Sequence, residues 1–342
     1  MGRYLRAGLI GLGSISKVHI DALTSLETAR IAAVCDIDED KLKDVSGRTG
    51  AKAYTDWREL INDPDVEIVH VLTPHYLHAP MSIEALKAGK HVLSEKPVAS
   101  EISDALQMIK AADASDRSLS VIFQNRYNAS TVELKRIIDS GEAGKLLGAR
   151  ASVCWHRTAE YYAQGSWRGK WATEGGGALI NQSIHTLDLL SYLGGPIKRV
   201  KGSITTDLLE GAIEVEDNAH AVFEYESGAV GVIHATNNYA VSAPILLEMS
   251  FENGTWQLLA EKLFKLNDGV PELVTKGESA EHLGVKSYWG ASHKEEIRRV
   301  YDAILGGRRF EIDARSAFPA LNLVKGIYES SASGKWVELI KV

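Results

Sequence analysis

Apolar and polar positions follow two regimes along the chain. Up to about residue 125, short apolar runs at Leu5–Ile10, Ile31–Cys35, Glu67–Leu72, His91–Leu93 and Leu119–Phe123 alternate with stretches of helical spacing. In one such stretch Met81, Ala85 and Ala88 share a face, and Gly89 follows as the residue that ends the helix. Strands alternating with helices predict a parallel sheet covered on both faces.

After Arg126 the regime changes. A helix over about 131–140 leads to a β-rich run, Leu146–His156; a Gly175–Gly177 cluster then precedes a helix over 178–193. Strands are expected at Val200–Thr205, His220–Tyr225, Ala229–Ala235 and Ile245–Phe251. The turn signals between them, Glu226-Ser227-Gly228 and Glu252-Asn253-Gly254, favour antiparallel pairing. Two helices, near Lys294–Leu305 and Arg315–Ser331, close the chain. The expected fold is an α/β Rossmann N-terminal domain, residues 1–125, followed by an α+β C-terminal domain, residues 126–342, with a large, mainly antiparallel sheet.

The length, 342 residues, agrees with two domains. The 38 basic residues are scattered among 45 acidic ones, for a net charge of −7, and no basic run or face emerges, which argues against nucleic acid as a partner. No apolar stretch approaches the ~20 residues that span a bilayer, so no membrane role is expected. The chain enters a strand pattern at once, without the apolar core and small-residue cleavage site of a signal peptide. Its two cysteines, Cys35 and Cys154, are far apart, which suits a reducing cytoplasm.

Gly11-Leu12-Gly13-Ser14-Ile15-Ser16 follows the first strand and opens a helix, matching GxGxxG except that Ser16 takes the third glycine's place. The first glycine permits the tight turn, and the second lets backbone approach a pyrophosphate held at the helix N-terminus. Asp36 ends the second strand, where an acid hydrogen-bonds the adenine ribose; the plainer alternative is that it only begins the turn Asp36-Ile37-Asp38. Two acids and no adjacent arginine would repel a 2′-phosphate, so NAD is expected rather than NADP. Thr73-Pro74-His75-Tyr76-Leu77-His78 and Glu95-Lys96-Pro97 both follow parallel strands, at the edge where ligands bind. The segment Gly175 to Asp188 places Asn181, His185 and Asp188 on one helical face. No metal is called for: His70, His75 and His78 lack a partner set of carboxylates or thiolates.

Taken together, these segments resemble the glucose–fructose oxidoreductase / inositol dehydrogenase / rhizopine-catabolism (Gfo/Idh/MocA) family over nearly the whole chain, including a closing Glu329-Ser330…Gly334-Lys335. The resemblance implies NAD as cofactor and oxidation of a sugar or inositol-like polyol. It assigns catalysis to Lys96 and His185, which meet at the reacting oxygen. Gly11, Gly13, Ser14, Ile15, Asp36, Thr73, His75, Glu95 and Lys96 would line the cofactor site, with Trp167-Arg168 matching a pair that approaches the nicotinamide in some members. Lys96, Asn181, His185 and Arg126 would contact substrate. The plainer readings are a satisfied helix histidine for His185, a structural His78, and an Asp188 that braces His185 or a neighbouring segment.

One departure stands out. Many polyol dehydrogenases of the family carry aspartate four residues before the histidine, whereas here the residue is Asn181, which cannot accept a proton. Family members acting on nucleotide-linked sugars can carry asparagine there, which keeps such substrates open. NAD-assisted glycoside hydrolysis or epimerisation and a non-enzymatic sugar sensor are the other readings. By the same resemblance the chain is expected to form a homo-oligomer, a dimer or homotetramer, through its C-terminal sheet.

Overall fold

The structure, a computed structural model, describes residues 3–276 and 292–342. The chain packs as two compact units: the first runs to Phe123 and takes in His293–Phe318, and the second comprises Gln124–Ser292 with Pro319–Val342. The return of His293–Phe318 to the first unit is a feature that a single division at 125/126 does not contain.

In the first unit, β1 (Leu5–Ile10), β2 (Ala29–Cys35), β3 (Lys52–Tyr54), β4 (Ile68–Val71), β5 (His91–Ser94) and β6 (Leu119–Val121) form one parallel sheet. The strand order β3-β2-β1-β4-β5-β6 reverses direction between β1 and β4. Helices α1 (Ser16–Ser25), α2 (Glu39–Thr49), α3 (Trp57–Asn62), α4 (His78–Lys87) and α5 (Ile102–Asp113) join the strands. All four residues of β4 are buried, as expected of a central strand covered on both faces. This is the parallel Rossmann half read from the alternation, with β3 and α3 added.

In the second unit, α6 (Ala129–Asp139) precedes β7 (Leu146–Cys154), and a short helix α7 (Ala159–Ala163) leads to the glycine cluster. Helix α8 (Ile184–Gly194) is followed by β8 (Ile197–Thr205), β9 (Asn218–Tyr225), β10 (Val230–Thr236), β11 (Leu246–Phe251), β12 (Gly254–Leu259), β13 (Lys262–Asn267), β14 (Val270–Thr275) and, at the chain's end, β15 (Val337–Glu338). These make a nine-stranded sheet, order β14-β13-β12-β11-β7-β10-β9-β8-β15, antiparallel except for the β7–β10 pair. The hairpins β12–β13 and β13–β14 extend it beyond the strands expected. Among the described residues no helix is long and apolar enough to cross a membrane.

The helix expected over 178–193 is broken. Ala178–Gln182 forms a wide turn in which the Ser183 N–H donates to the Ala178 carbonyl (2.9 Å), and α8 begins only at Ile184. Such wide turns re-aim side chains along a helix and are frequent at functional sites.

Candidate active site

Gly11 sits at φ +95°, and a Cβ there would lie 2.7 Å from the Leu72 carbonyl oxygen, so both the conformation and the neighbouring strand end require glycine. Gly13 is exposed, with no atom within 4 Å of where its Cβ would be. Helix α1 begins beside it with no side-chain cap and no acid in its first turn, leaving donors and a positive dipole end for an anion. Ser16 fits the third glycine position because its buried hydroxyl donates back to the Gly13 carbonyl (2.7 Å). The open glycine backbone before an uncapped helix fits a dinucleotide pyrophosphate.

Asp36 does more than begin a turn. Its Oδ2 accepts the Leu12 N–H (2.6 Å) and its Oδ1 the Asp38 N–H (2.8 Å), so one carboxylate ties the glycine turn to the end of β2. A carboxylate has about four lone-pair directions, leaving capacity for ribose hydroxyls. A cation stands nearby as well: Lys41 is paired with Asp38 at 2.7 Å.

The edges of β4 and β5 carry the next groups. His78 sets Nδ1 2.8 Å from the Pro97 carbonyl oxygen and Nε2 2.9 Å from that of Thr73, so it clamps the Thr73-Pro74 turn to the segment containing Lys96. Burial lowers its pKa against these two carbonyls, and only a protonated ring donates to both. His75 is buried, its ring 5.7 Å from that of His78. Lys96 is partly exposed, its N–H donates to Glu95 Oε2 (3.2 Å), and its bond to Pro97 is cis.

Behind Glu95 lies a hydrogen-bonded chain that the sequence did not announce. His19 Nε2 is 2.9 Å from Glu95 Oε1, His19 Nδ1 is 2.8 Å from His70 Nδ1, and His70 Nε2 is 2.9 Å from the Tyr301 hydroxyl. Burial lowers the pKa of both histidines, that of His70 strongly, so each is a neutral ring with one donor. One assignment then satisfies every contact: Tyr301 donates to His70, His70 Nδ1–H to His19, and His19 Nε2–H to Glu95. Burial alone would raise the Glu95 pKa; His19, with His293 Nε2 at 3.7 Å, reverses this and holds the carboxyl well below its ordinary range.

In the second unit the glycine cluster serves close packing. A Cβ on Gly176 would lie 2.0 Å from the Tyr328 hydroxyl, and one on Gly177 1.9 Å from the Glu216 carbonyl oxygen. The fully buried Glu216 carboxylate accepts the N–H of Gly177 (2.8 Å) and of Leu179 (2.9 Å) and the Tyr328 hydroxyl (2.9 Å), anchoring the start of the wide turn. From Ala178 to Leu190 the chain is buried apart from two partly exposed residues, Asn181 and His185. Those two are the partly exposed positions of this run, and Asp188 is not among them. Asp188 is buried in a bidentate pair with Arg126, whose Nη2 and Nε lie at 2.5 and 2.8 Å and whose guanidinium also covers the Tyr192 ring. Two of the Arg126 donor nitrogens are thus engaged by Asp188, which ties α8 to the turn at 124–127 just before α6.

Asn181 Nδ2 donates to Glu174 Oε1 at 2.5 Å, and the Gly169 N–H donates to Glu174 Oε2 at 2.5 Å. Burial pushes the Glu174 carboxyl up to about 7, against the pull of these two donors and of Arg168. Trp167 and Arg168 lie nearby in sequence, the guanidinium 4.9 Å from the Trp167 ring centroid and 5.1 Å from that of Tyr161. Among the described residues no group of three or more His, Cys, Asp or Glu side chains is arranged to hold a metal.

The functional residues missed from the sequence are His19, His293, Tyr301, Glu174 and Glu216. Glu174, just before the glycines, could have been noticed; the others are joined only by long-range packing.

The model of the oxidoreductase family with an NAD-binding Rossmann fold matches residues 5–123, and that of the GFO/IDH/MocA C-terminal domain matches residues 131–257. The myo-inositol 2-dehydrogenase of Thermotoga maritima is 32% identical over 235 residues, 67% of this chain and 67% of that protein. The levoglucosan dehydrogenase of Pseudarthrobacter phenanthrenivorans is 28% identical over 264 residues, 68% of each. The structure of the WlbA dehydrogenase from Bordetella pertussis in complex with NADH and UDP-GlcNAcA superposes with a TM-score of 0.88 at 30% identity, covering 99% of this chain and 100% of that one.

Proposed function

The chain belongs to the Gfo/Idh/MocA family of NAD-binding oxidoreductases, and from that premise we propose that it oxidises a ring CHOH of a sugar, an inositol-like polyol or a sugar derivative to the ketone, reversibly. When bound, NAD⁺ supplies the hydride acceptor for the carbinol C–H. Lys96 takes the hydroxyl proton, and in the reverse direction its ammonium protonates the ketone oxygen. His185 holds that oxygen or relays its proton, and Asn181 hydrogen-bonds the substrate. The observation that carries this reading is the position of Lys96. It leaves the sheet at the carboxyl edge of β5, two strands and so about 10 Å from the glycine turn that ends β1.

Asp36 binds the adenine ribose, Gly11, Gly13, Ser14 and Ile15 the pyrophosphate, and Thr73, His75 and Glu95 shape the wall next to Lys96. Trp167-Arg168 close the nicotinamide end. Arg126 acts through Asp188, so its contribution to substrate binding is indirect. A nucleotide-linked sugar is the second reading, favoured by Asn181 and by the full-length similarity to a dehydrogenase solved with UDP-GlcNAcA. Leu147, Val222, Val230 and Val232 stand exposed on the nine-stranded sheet, which favours a homo-oligomer, and two buried free cysteines suit a reducing cytoplasm.

The test is a panel of free sugars, inositols and nucleotide sugars assayed for NADH formation, with NADP in parallel. Stoichiometric NADH from one class is expected. Turnover without net NADH would point instead to transient oxidation in hydrolysis or epimerisation.

A further inference from the structure

The hydrogen-bonded chain behind Glu95 joins four buried side chains of the first unit: His19 on α1, His70 in β4, Glu95 just past β5 and Tyr301 on α9 (His293–Leu305). Its donors can be counted. The Tyr301 hydroxyl and the two neutral rings carry one donor each and an ionised carboxylate none, so three donors serve three contacts. A proton on Glu95 Oε1 would be a fourth donor and would force the chain to reverse, with Glu95 donating to His19, His19 to His70 and His70 to Tyr301. The Tyr301 hydroxyl would then have to donate elsewhere, and among the described residues it has no hydrogen-bond partner besides His70. A proton on Oε2 would take the charge from the oxygen that accepts the Lys96 N–H. Only the anion keeps every contact and keeps that last one charge-assisted.

We propose that His19 and Tyr301 are positioning residues for Lys96: Tyr301 sets the direction of the chain, and His19 delivers it to Glu95, whose carboxylate holds the Lys96 N–H and so the point from which the lysine side chain extends. This rests on the reading of Lys96 as the acid–base group. Tyr301 lies 231 positions from His70 in sequence and belongs to the segment that returns to the first unit, so the return helix takes part in the site through this chain. The other groups facing Glu95 do not replace His19. His293 Nε2, from α9, is a weaker neighbour at 3.7 Å, and His70 from β4 and His78 from α4 act on the carboxylate through space. With His19 removed, burial prevails at Glu95 and favours its protonated form.

The experiment compares His19→Leu, His19→Gln and Tyr301→Phe with wild type. Leucine removes both ring nitrogens, glutamine keeps one donor and one acceptor without titrating, and phenylalanine removes only the hydroxyl. Turnover and substrate KM are measured between pH 5.5 and 8.5 with the best substrate. His19→Leu should lower kcat roughly five- to tenfold at pH 7, as for one hydrogen bond lost, with substrate KM little changed. Its kcat should rise with pH through an ionisation that wild type lacks. His19→Gln should recover the wild-type kcat and profile. Tyr301→Phe should show the same ionisation at lower pH, because either direction of the shortened chain leaves one His70 nitrogen unpaired. Two readouts need no substrate. In a Glu174→Gln background, infrared spectra should gain a protonated-carboxyl band with His19→Leu that fades as pH rises. Nitrogen-15 spectra of wild type should show neutral rings, His70 protonated at Nδ1 and His19 at Nε2.

The opposite tautomers in wild type overturn the proposal without any variant. So does a folded His19→Leu enzyme with the wild-type profile and no new band, or a His19→Gln enzyme as impaired as His19→Leu, which would leave the histidine a packing residue. A Tyr301→Phe enzyme with wild-type profile and tautomers overturns it as well, and decides the matter should His19→Leu fail to fold. In all these cases Lys96→Met stays impaired. Normal turnover in Lys96→Met removes the reading of Lys96 itself, and the proposal with it.

Discussion

Glu95 in the first unit and Glu174 in the second are both buried, and each is one hydrogen bond from a residue proposed to meet substrate. Burial raises the pKa of any carboxyl, and at Glu174 it prevails. At Glu95 it is overcome, because a ring N–H from His19 is aimed at the carboxylate and His293 lies beside it. At Glu174 the Gly169 N–H, the Asn181 amide and the Arg168 charge favour the anion, but the Glu216 carboxylate works against them and burial outweighs them. The same side chain becomes a fixed anion holding the Lys96 backbone in one place, and a titrating group holding Asn181 in the other. What surrounds a buried acid, more than its depth, decides whether it stays ionised or titrates near neutral pH.

The comparison is sharpened first at Lys96, the residue that Glu95 anchors. Lys96→Met keeps much of the side-chain volume and removes the ammonium. Turnover should fall about 10²–10⁴-fold while NAD binding persists. Near-normal turnover in a folded variant would remove Lys96 from the chemistry and leave Glu95 a purely structural anion.

Stability should respond to the two glutamates with opposite signs. Glu174 has a folded pKa near 7 against an ordinary value of 4.5, so the folded state retains its proton longer and loses stability as pH rises from about 4.5 to 7. Glu174→Gln should therefore gain up to about 3 kcal/mol at pH 8 and almost nothing at pH 4.5. Glu95 is depressed, so its contribution is present above its unfolded pKa and is lost only as pH falls through the acid range below it. Glu95→Gln at pH 8 should cost about 1.5–3 kcal/mol, the scale of a hydrogen bond to a charged group. Denaturant melts at the two pH values check both; same-sign changes would break the comparison.

Asp36 offers a third and milder case, a partly exposed carboxylate held by two backbone N–H groups. Asp36→Asn keeps an acceptor for one of them. It should weaken NAD roughly tenfold and NADP less, measured by fluorescence titration of both cofactors. Equal losses would mean that Asp36 acts only through the turn it holds at Leu12.

Much of the fold was legible because periodicity reports burial. The fully buried β4 appears as an apolar run, and the outer strands of the second sheet alternate. The Asp268-Gly269 pair, both at positive φ, is a hairpin signal of the Asp-Gly kind that sequence carries openly. The equivalent turn at Ala260-Glu261 was not readable, since neither residue type favours the left-handed region it adopts. The wide turn at Ala178–Gln182 was equally hidden, because helical spacing in sequence cannot show an extra residue in one turn. In the site, Asp36, Lys96, Asn181 and His185 were named because each stands at a strand end or on a marked helix face. The partners that set charge, His19, Tyr301 and Glu216, sit in segments that look like ordinary packing, and only the tertiary structure brings them to the glutamates. Arg126 and Asp188 were named separately, and nothing in the sequence said that they spend their charges on each other.

The central claim is that Glu95 stays ionised across neutral pH while Glu174 titrates there, and infrared difference spectroscopy between pH 5.5 and 8.5 reads it most directly. The account predicts a buried protonated-carboxyl band that titrates near pH 7, is lost in Glu174→Gln and persists in Glu95→Gln. A band that survives Glu174→Gln, or disappears in Glu95→Gln, would contradict it.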